Sequence, residues 1–153
     1  MKKFILNIII FIFISGCGYV PIYSVNNNKV NFEIGRININ GDRDLNQNII
    51  NQLKNLKTKK ESNTITYNLT INTNIEKIVT SKDSKGNPKT YKMTSYVDIK
   101  TVKDGKVYAF SIGSDENYND ISSKFELETF ERNIKKNSAS KIIQEIIVYL
   151  ITL

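Results

Sequence analysis

Apolar residues alternate with polar ones at Val30, Phe32 and Ile34, and the alternation resumes one position out of phase at Ile37 and Ile39. That predicts a half-buried strand with a bulge or bend at Gly35. Asn40-Gly41-Asp42 reads as a turn and helix start, because Leu45, Ile49, Ile50, Leu53 and Leu56 then recur at helical spacing. Lys57, Lys59 and Lys60 close that helix with charges that suit its C-terminal dipole. Ile65, Tyr67, Leu69, Ile71 and Ile75 return to a period of two with Thr and Asn between them, the signature of a long half-buried strand. Ser81 to Pro88 is rich in turn formers. Tyr91, Met93, Val97 and Ile99 mark the next strand, and Asp104-Gly105 is a two-residue hairpin signal leading into Val107 to Ile112. Ser123 and Glu126 have capping-box spacing, and Leu127, Phe130, Ile134, Ile142, Ile146 and Leu150 trace one stripe of a long amphipathic helix.

The predicted order is therefore β-α-β-β-β-α. Each helix has one apolar stripe to bury, and a sheet offers one face to cover both. The expected fold is α+β: a two-layer sandwich with two helices packed on one face of a four-stranded, mostly antiparallel sheet, spanning residues 29–153. The run Ile142 to Leu153 is too short to cross a bilayer and retains Gln144 and Glu145, which assigns it to the sheet. Helix propensity sags between Asn137 and Ser140, where a kink is open.

The N-terminus has another character. Lys2 and Lys3 precede the apolar stretch Phe4 to Ile14, which Ile14-Ser15-Gly16 joins to Cys17, the tripartite layout of a secretory signal. As a helix this stretch covers only about 16 Å, against ~30 Å of bilayer hydrocarbon. Residues 1–16 are thus expected to be removed rather than to span a membrane. Ile-Ser-Gly-Cys resembles the bacterial lipobox, which implies acylation of Cys17 and its new amine. More than one acyl chain gives stable attachment, where a single chain is marginal. Residues 17–28, with Pro21 and three consecutive Asn, then form an irregular lipidated tether on the periplasmic side. Gly18 after the Cys is similar to lipoproteins kept in the outer membrane.

Composition removes most chemistry. The 153 residues contain no His and one Cys. An imidazole base, a Ser-His-Asp or Cys-His nucleophile, an intrachain disulfide, a thiolate zinc site and an iron–sulfur cluster all lack their parts. Asp115 and Glu116 are adjacent and point apart in a strand, and no HExxH, CxxC, GxSxG or phosphate-binding Gly-rich loop occurs. We expect no enzyme, no cofactor and no metal. A net charge of +7 calls for an anionic partner. Nucleic acid is not expected, because the chain is addressed out of the cytoplasm.

The whole region from Cys17 onward resembles one family, the lipopolysaccharide-assembly lipoproteins LptE, in particular their alphaproteobacterial branch. Cys17-Gly18-Tyr19-Val20-Pro21-Ile22-Tyr23 is similar to the family's Cys-Gly-aromatic-x-Pro-aliphatic-Tyr opening. Ile37-x-Ile39 with Asp42-Arg43, Gln47 and Leu53 resembles its first strand-to-helix passage. Gly105-Lys106-Val107 and Asn117-Tyr118 resemble the last hairpin and the link after it, and Phe125, Glu131-Arg132, Ala139 and Leu150 the closing helix. The resemblance implies an outer-membrane lipoprotein, lipid-anchored on the periplasmic side, that sits inside the β-barrel protein LptD, supports its assembly and contacts lipopolysaccharide. The chain is richer in Lys and Asn, and poorer in Arg and Ala, than that branch. Another class stays open, a free periplasmic lipoprotein that binds an anionic envelope ligand.

Lipopolysaccharide carries phosphates and carboxylates beside acyl chains, so its receptor needs cations for charge-assisted hydrogen bonds. Lys82, Lys85, Lys89 and Lys92, with Lys77 just before them, are the densest cationic group on a predicted loop and are the candidate contacts, opposed by Asp83. A solvated hairpin tip and a contact with the barrel are the other uses of the same charges. Asp42 and Arg43 are expected to serve as helix cap and local ion pair, and Arg132, Lys135 and Lys136 as solvated charges. Tyr67, Tyr91, Tyr96, Tyr108 and Tyr118 are expected in the core or on the sheet surface.

Overall fold

A strand of nine residues cannot return parallel to its successor without a crossover, and the first helix supplies one. The structure, a computed structural model, describes residues 31–56 and 64–153. The signal segment 1–16, Cys17, the tether 17–28, Val30 and the cluster Lys57, Lys59 and Lys60 lie outside the described residues. The elements are β1 (Phe32–Asn40), α1 (Arg43–Lys54), β2 (Ile65–Lys82), β3 (Pro88–Lys103), β4 (Lys106–Asn119) and α2 (Lys124–Thr152). The sheet order is β1-β2-β3-β4. β1 runs parallel to β2, and the other two pairings are antiparallel. The expected α+β sandwich, mostly antiparallel, is the observed fold.

The bulge falls at Gly35, where the β1–β2 register shifts between Ile34 and Ile37. A side chain at Gly35 would meet Asn68, whose amide oxygen instead accepts the Arg36 N–H at 2.8 Å. Asp42 caps α1 by accepting the Leu45 N–H at 2.9 Å. Its carboxylate also pairs with Lys135 of α2 at 2.7 Å, and Lys135 lies 3.7 Å from Asp44 as well. The expected partner Arg43 is not used, and Lys135 is not a solvated charge. The two helices cross there, a juxtaposition that no local spacing encodes. Asp104 and Gly105 both take positive φ, 51° and 75°, as a two-residue hairpin turn requires.

α2 is one continuous helix through Asn137–Ser140. Ser138 and Ala139 are fully buried, Ser138 facing Ser114 of β4 and Ala139 in the main core. The main core joins Leu45, Ile49 and Leu53 of α1, Tyr67, Leu69 and Ile71 of β2, Val97 and Ile99 of β3, and Ile142, Ile146 and Leu150 of α2. A smaller cluster of Met93, Tyr118 and Ile134 continues it toward the start of α2. Phe130, placed by its spacing on the apolar stripe, is 42% exposed. No described helix is long and apolar enough to cross a membrane.

Candidate functional site

β2 has 18 residues, so at ~3.3 Å per residue it is about 60 Å long, twice the nine residues of β1 and close to the 16 of β3. Its first half alternates buried and exposed, and from Glu76 onward every residue is exposed. β1 pairs with β2 only as far as Asn72, and β4 pairs with β3 only back to Thr90. The β2–β3 hairpin therefore runs well past β1, while β4 accompanies β3 up to the turn, where the Asp120 N–H donates to the Lys89 carbonyl at 2.9 Å. The sequence places its connection at Ser81 to Pro88; pairing extends β2 through Lys82 and leaves a tighter turn of residues 83–87. Hydroxyls of Thr80 and Ser81 lie 2.6 and 2.7 Å from that of Thr90 and tie the two strands below the tip.

Asp83 organises the turn. Its carboxylate accepts the N–H groups of Lys85 and Asn87, both at 2.8 Å, and the Asn87 side-chain amide at 3.0 Å. Gly86 takes φ 85°, where open space surrounds it. The Asn87 side-chain hydrogen bond, followed by its backbone hydrogen bond, holds the Asp83 carboxyl below its ordinary value of 3.8. A depressed carboxyl stabilises the turn above its ordinary pKa, and that contribution is lost as pH falls through the lowered value. Asn87→Ala is expected to raise the Asp83 midpoint toward the ordinary value, read by carbon-detected NMR titration. An unmoved midpoint removes Asn87 as the cause.

Lys82, Lys85 and Lys89 are all exposed around this turn, and no carboxylate side chain pairs with them among the described residues. Lys77 and Lys92 lie farther down, on opposite faces. The Lys92 ammonium is 2.7 Å from Asp115 on the face away from the helices, and hydrogen bonding to Asp115 raises its pKa. The same contact lowers that of Asp115. Lys77 faces α2, 2.6 Å from Glu131 and 4.3 Å above the Tyr91 ring. The Glu131 oxygen that Lys77 contacts also accepts the Tyr118 hydroxyl at 2.7 Å. Burial of Tyr118, then this hydrogen bond, holds the phenol far above its ordinary value, so it stays protonated as a donor.

The structure thus brings three of the five candidate lysines to one projecting tip and gives the other two specific partners. Sequence reading missed Glu131, which is separated from Lys77 by 54 positions and by a helix crossing. Asp115 had a usable signal, since counting the hairpin register back from Asp104-Gly105 sets it opposite Thr94, diagonal to Lys92. Asp115 and Glu116 do point apart: Glu116 pairs with Lys141 of α2. Among the described residues no group of three or more acidic or thiol side chains could hold a metal ion.

The architecture belongs to a class of small α+β domains found in solved bacterial lipoproteins. Rare lipoprotein B from Shewanella oneidensis superposes with a TM-score of 0.56 at 18% identity, covering 77% of this chain and 98% of that one. Lipoprotein B from Nitrosomonas europaea gives 0.54 at 12%, covering 80% and 89%, and a minor lipoprotein from Acinetobacter baumannii gives 0.53 at 11%, covering 80% and 95%. At these identities the likeness is one of fold. No family model matches the sequence, and no curated protein matches it.

Proposed function

We propose that the chain is an outer-membrane lipoprotein of the LptE type, anchored through Cys17, that seats in the barrel LptD and contacts lipopolysaccharide on its way to the surface. The observation that carries this reading is the basic hairpin turn, whose Lys82, Lys85 and Lys89 are exposed with no carboxylate paired to them among the described residues, on a scaffold shared with three lipoproteins along nearly their whole length. A projecting cationic tip can reach phosphates that the body of the domain never touches. The role is non-enzymatic: binding the folded barrel shifts that barrel's equilibrium toward the assembled state by mass action.

Affinity purification of the full-length lipidated chain from solubilised outer membrane tests the partner. A one-to-one complex with a large barrel is the expected result; a monomer that retains only small ligands overturns it in favour of a free binding module. The ligand is tested by changing Lys82, Lys85 and Lys89 to Glu, with Lys92 kept because a carboxylate there would face Asp115. Lipopolysaccharide affinity at low salt is expected to fall about tenfold or more with the melting temperature unchanged, since exposed charges add little stability. Unchanged binding moves the contact off the hairpin.

A further inference from the structure

β1 and β4 bound the sheet, and the two edges are unlike. β1 has nine residues, a bulge at Gly35 and an exposed Arg36, devices that keep an edge from pairing. β4 has 14 residues that pair with β3 without a register shift, and residues 107–114 carry no charge and no proline. Among the described residues no strand pairs with its outer side. The two-residue turn at Asp104-Gly105 makes Lys103 and Lys106 a hydrogen-bonded pair, and the ladder alternates from there. The Asp120 N–H that donates to the Lys89 carbonyl keeps the same phase at the far end. The backbone N–H and C=O groups of Val107, Ala109, Ser111 and Gly113 therefore point outward, and all four residues are exposed.

α2 runs beside this edge and makes a groove with it. Phe110 and Ile112 of β4 and Val148 and Tyr149 of α2 form the apolar part, Val148 being 49% exposed, and Lys141 and Glu145 of α2 the charged part. Unpaired backbone groups that recur at every second residue are matched by another extended backbone, and a strand added to β4 turns alternate side chains toward α2. A second copy of β4 fits poorly. Its helix-facing side chains are already under its own α2, with the Phe110 and Tyr149 rings 3.8 Å apart and Ile112 buried, so none is left to enter the groove. We propose that the β4 edge and the α2 groove accept an extended, uncharged segment of a partner protein as a fifth strand, with an apolar side chain in the groove. This rests on the reading that the chain seats in a barrel protein, and it names the surface that holds the two together.

Proline supplies the test, because it removes an N–H. Ser111→Pro takes away an outward N–H and leaves the β3 ladder intact, as edge strands allow. Ala109→Pro does the same and serves where Ser111→Pro does not fold. The full-length lipidated chain is affinity-purified from solubilised outer membrane, and a melting curve confirms that each variant is folded. We expect S111P to lose about tenfold or more in the barrel protein recovered, the worth of one or two ladder hydrogen bonds. A photo-reactive residue at position 109 is expected to cross-link to the same barrel protein. Wild-type recovery of the barrel by folded S111P or A109P overturns the edge and leaves the barrel reading standing. No barrel recovered with the wild-type chain overturns both. Cross-links from position 109 to a second copy, or to residues 17–28 of the same chain, overturn the assignment of the edge to a partner protein.

Discussion

Gly41→Ala is expected to destabilise the domain by about 3 kcal/mol or more, enough to leave much of it unfolded at ambient temperature. Gly41 takes φ 111°, and a Cβ there would stand 1.8 Å from the Thr73 carbonyl oxygen of β2. Neither side can yield cheaply. The Thr73 hydroxyl donates to the Asn40 carbonyl at 3.2 Å and lies 2.6 Å from the Asn46 side-chain oxygen, so moving β2 there also opens the start of α1. Gly105→Ala is the control. It shares a positive φ of 75° but meets nothing within 4 Å, so it carries only the strain of a left-handed backbone, ~1–2 kcal/mol. Urea denaturation of both variants separates strain from collision, and equal losses would show that the close approach at Thr73 is not what fixes Gly41.

Ile146→Ala is expected to cost about 3 kcal/mol, or roughly 10 °C in Tm, through lost burial and the cavity left behind. Ile146 is fully buried in the main cluster, where α2 meets both α1 and the sheet, so no neighbour can collapse into the space without breaking another contact. Ile134→Ala removes the same atoms from the smaller cluster, at a site with partly buried neighbours free to relax. Its cost should sit nearer 2 kcal/mol, at the low end for such truncations. A larger loss at Ile134 than at Ile146, in thermal melts followed by circular dichroism, would place the stabilising core under the start of α2 instead.

Much of this fold is legible along the chain because its strands alternate and its turns are chemically explicit. Period-two runs at Tyr67 to Ile71 and Val97 to Ile99 identify the buried face. The phase slip at Gly35 identifies the bulge, and Asp104-Gly105 fixes a hairpin register that also sets Tyr91 against Tyr118. The candidate site is legible only in part. Lys82, Lys85 and Lys89 are recognisable as a cationic turn, since an exposed hairpin tip keeps near neighbours in sequence near in space. The Lys92 environment follows from the β3–β4 register, whereas those of Lys77 and Lys135 do not, because each depends on a carboxylate that helix packing brings from a distant element.

By itself the sequence determined the order of elements, the face each one buries, the caps at Asp42 and Ser123 and the absence of imidazole chemistry, all of which follow from residue type and short-range spacing. Tertiary structure alone decided that α2 runs unbroken through Asn137–Ser140, that Lys135 belongs to Asp42, that Lys77 belongs to Glu131, and that the β2–β3 hairpin extends well beyond β1. The reason is range: periodicity records which side of an element is apolar, whereas how far one element overlaps another is set by packing among segments that are distant in the chain.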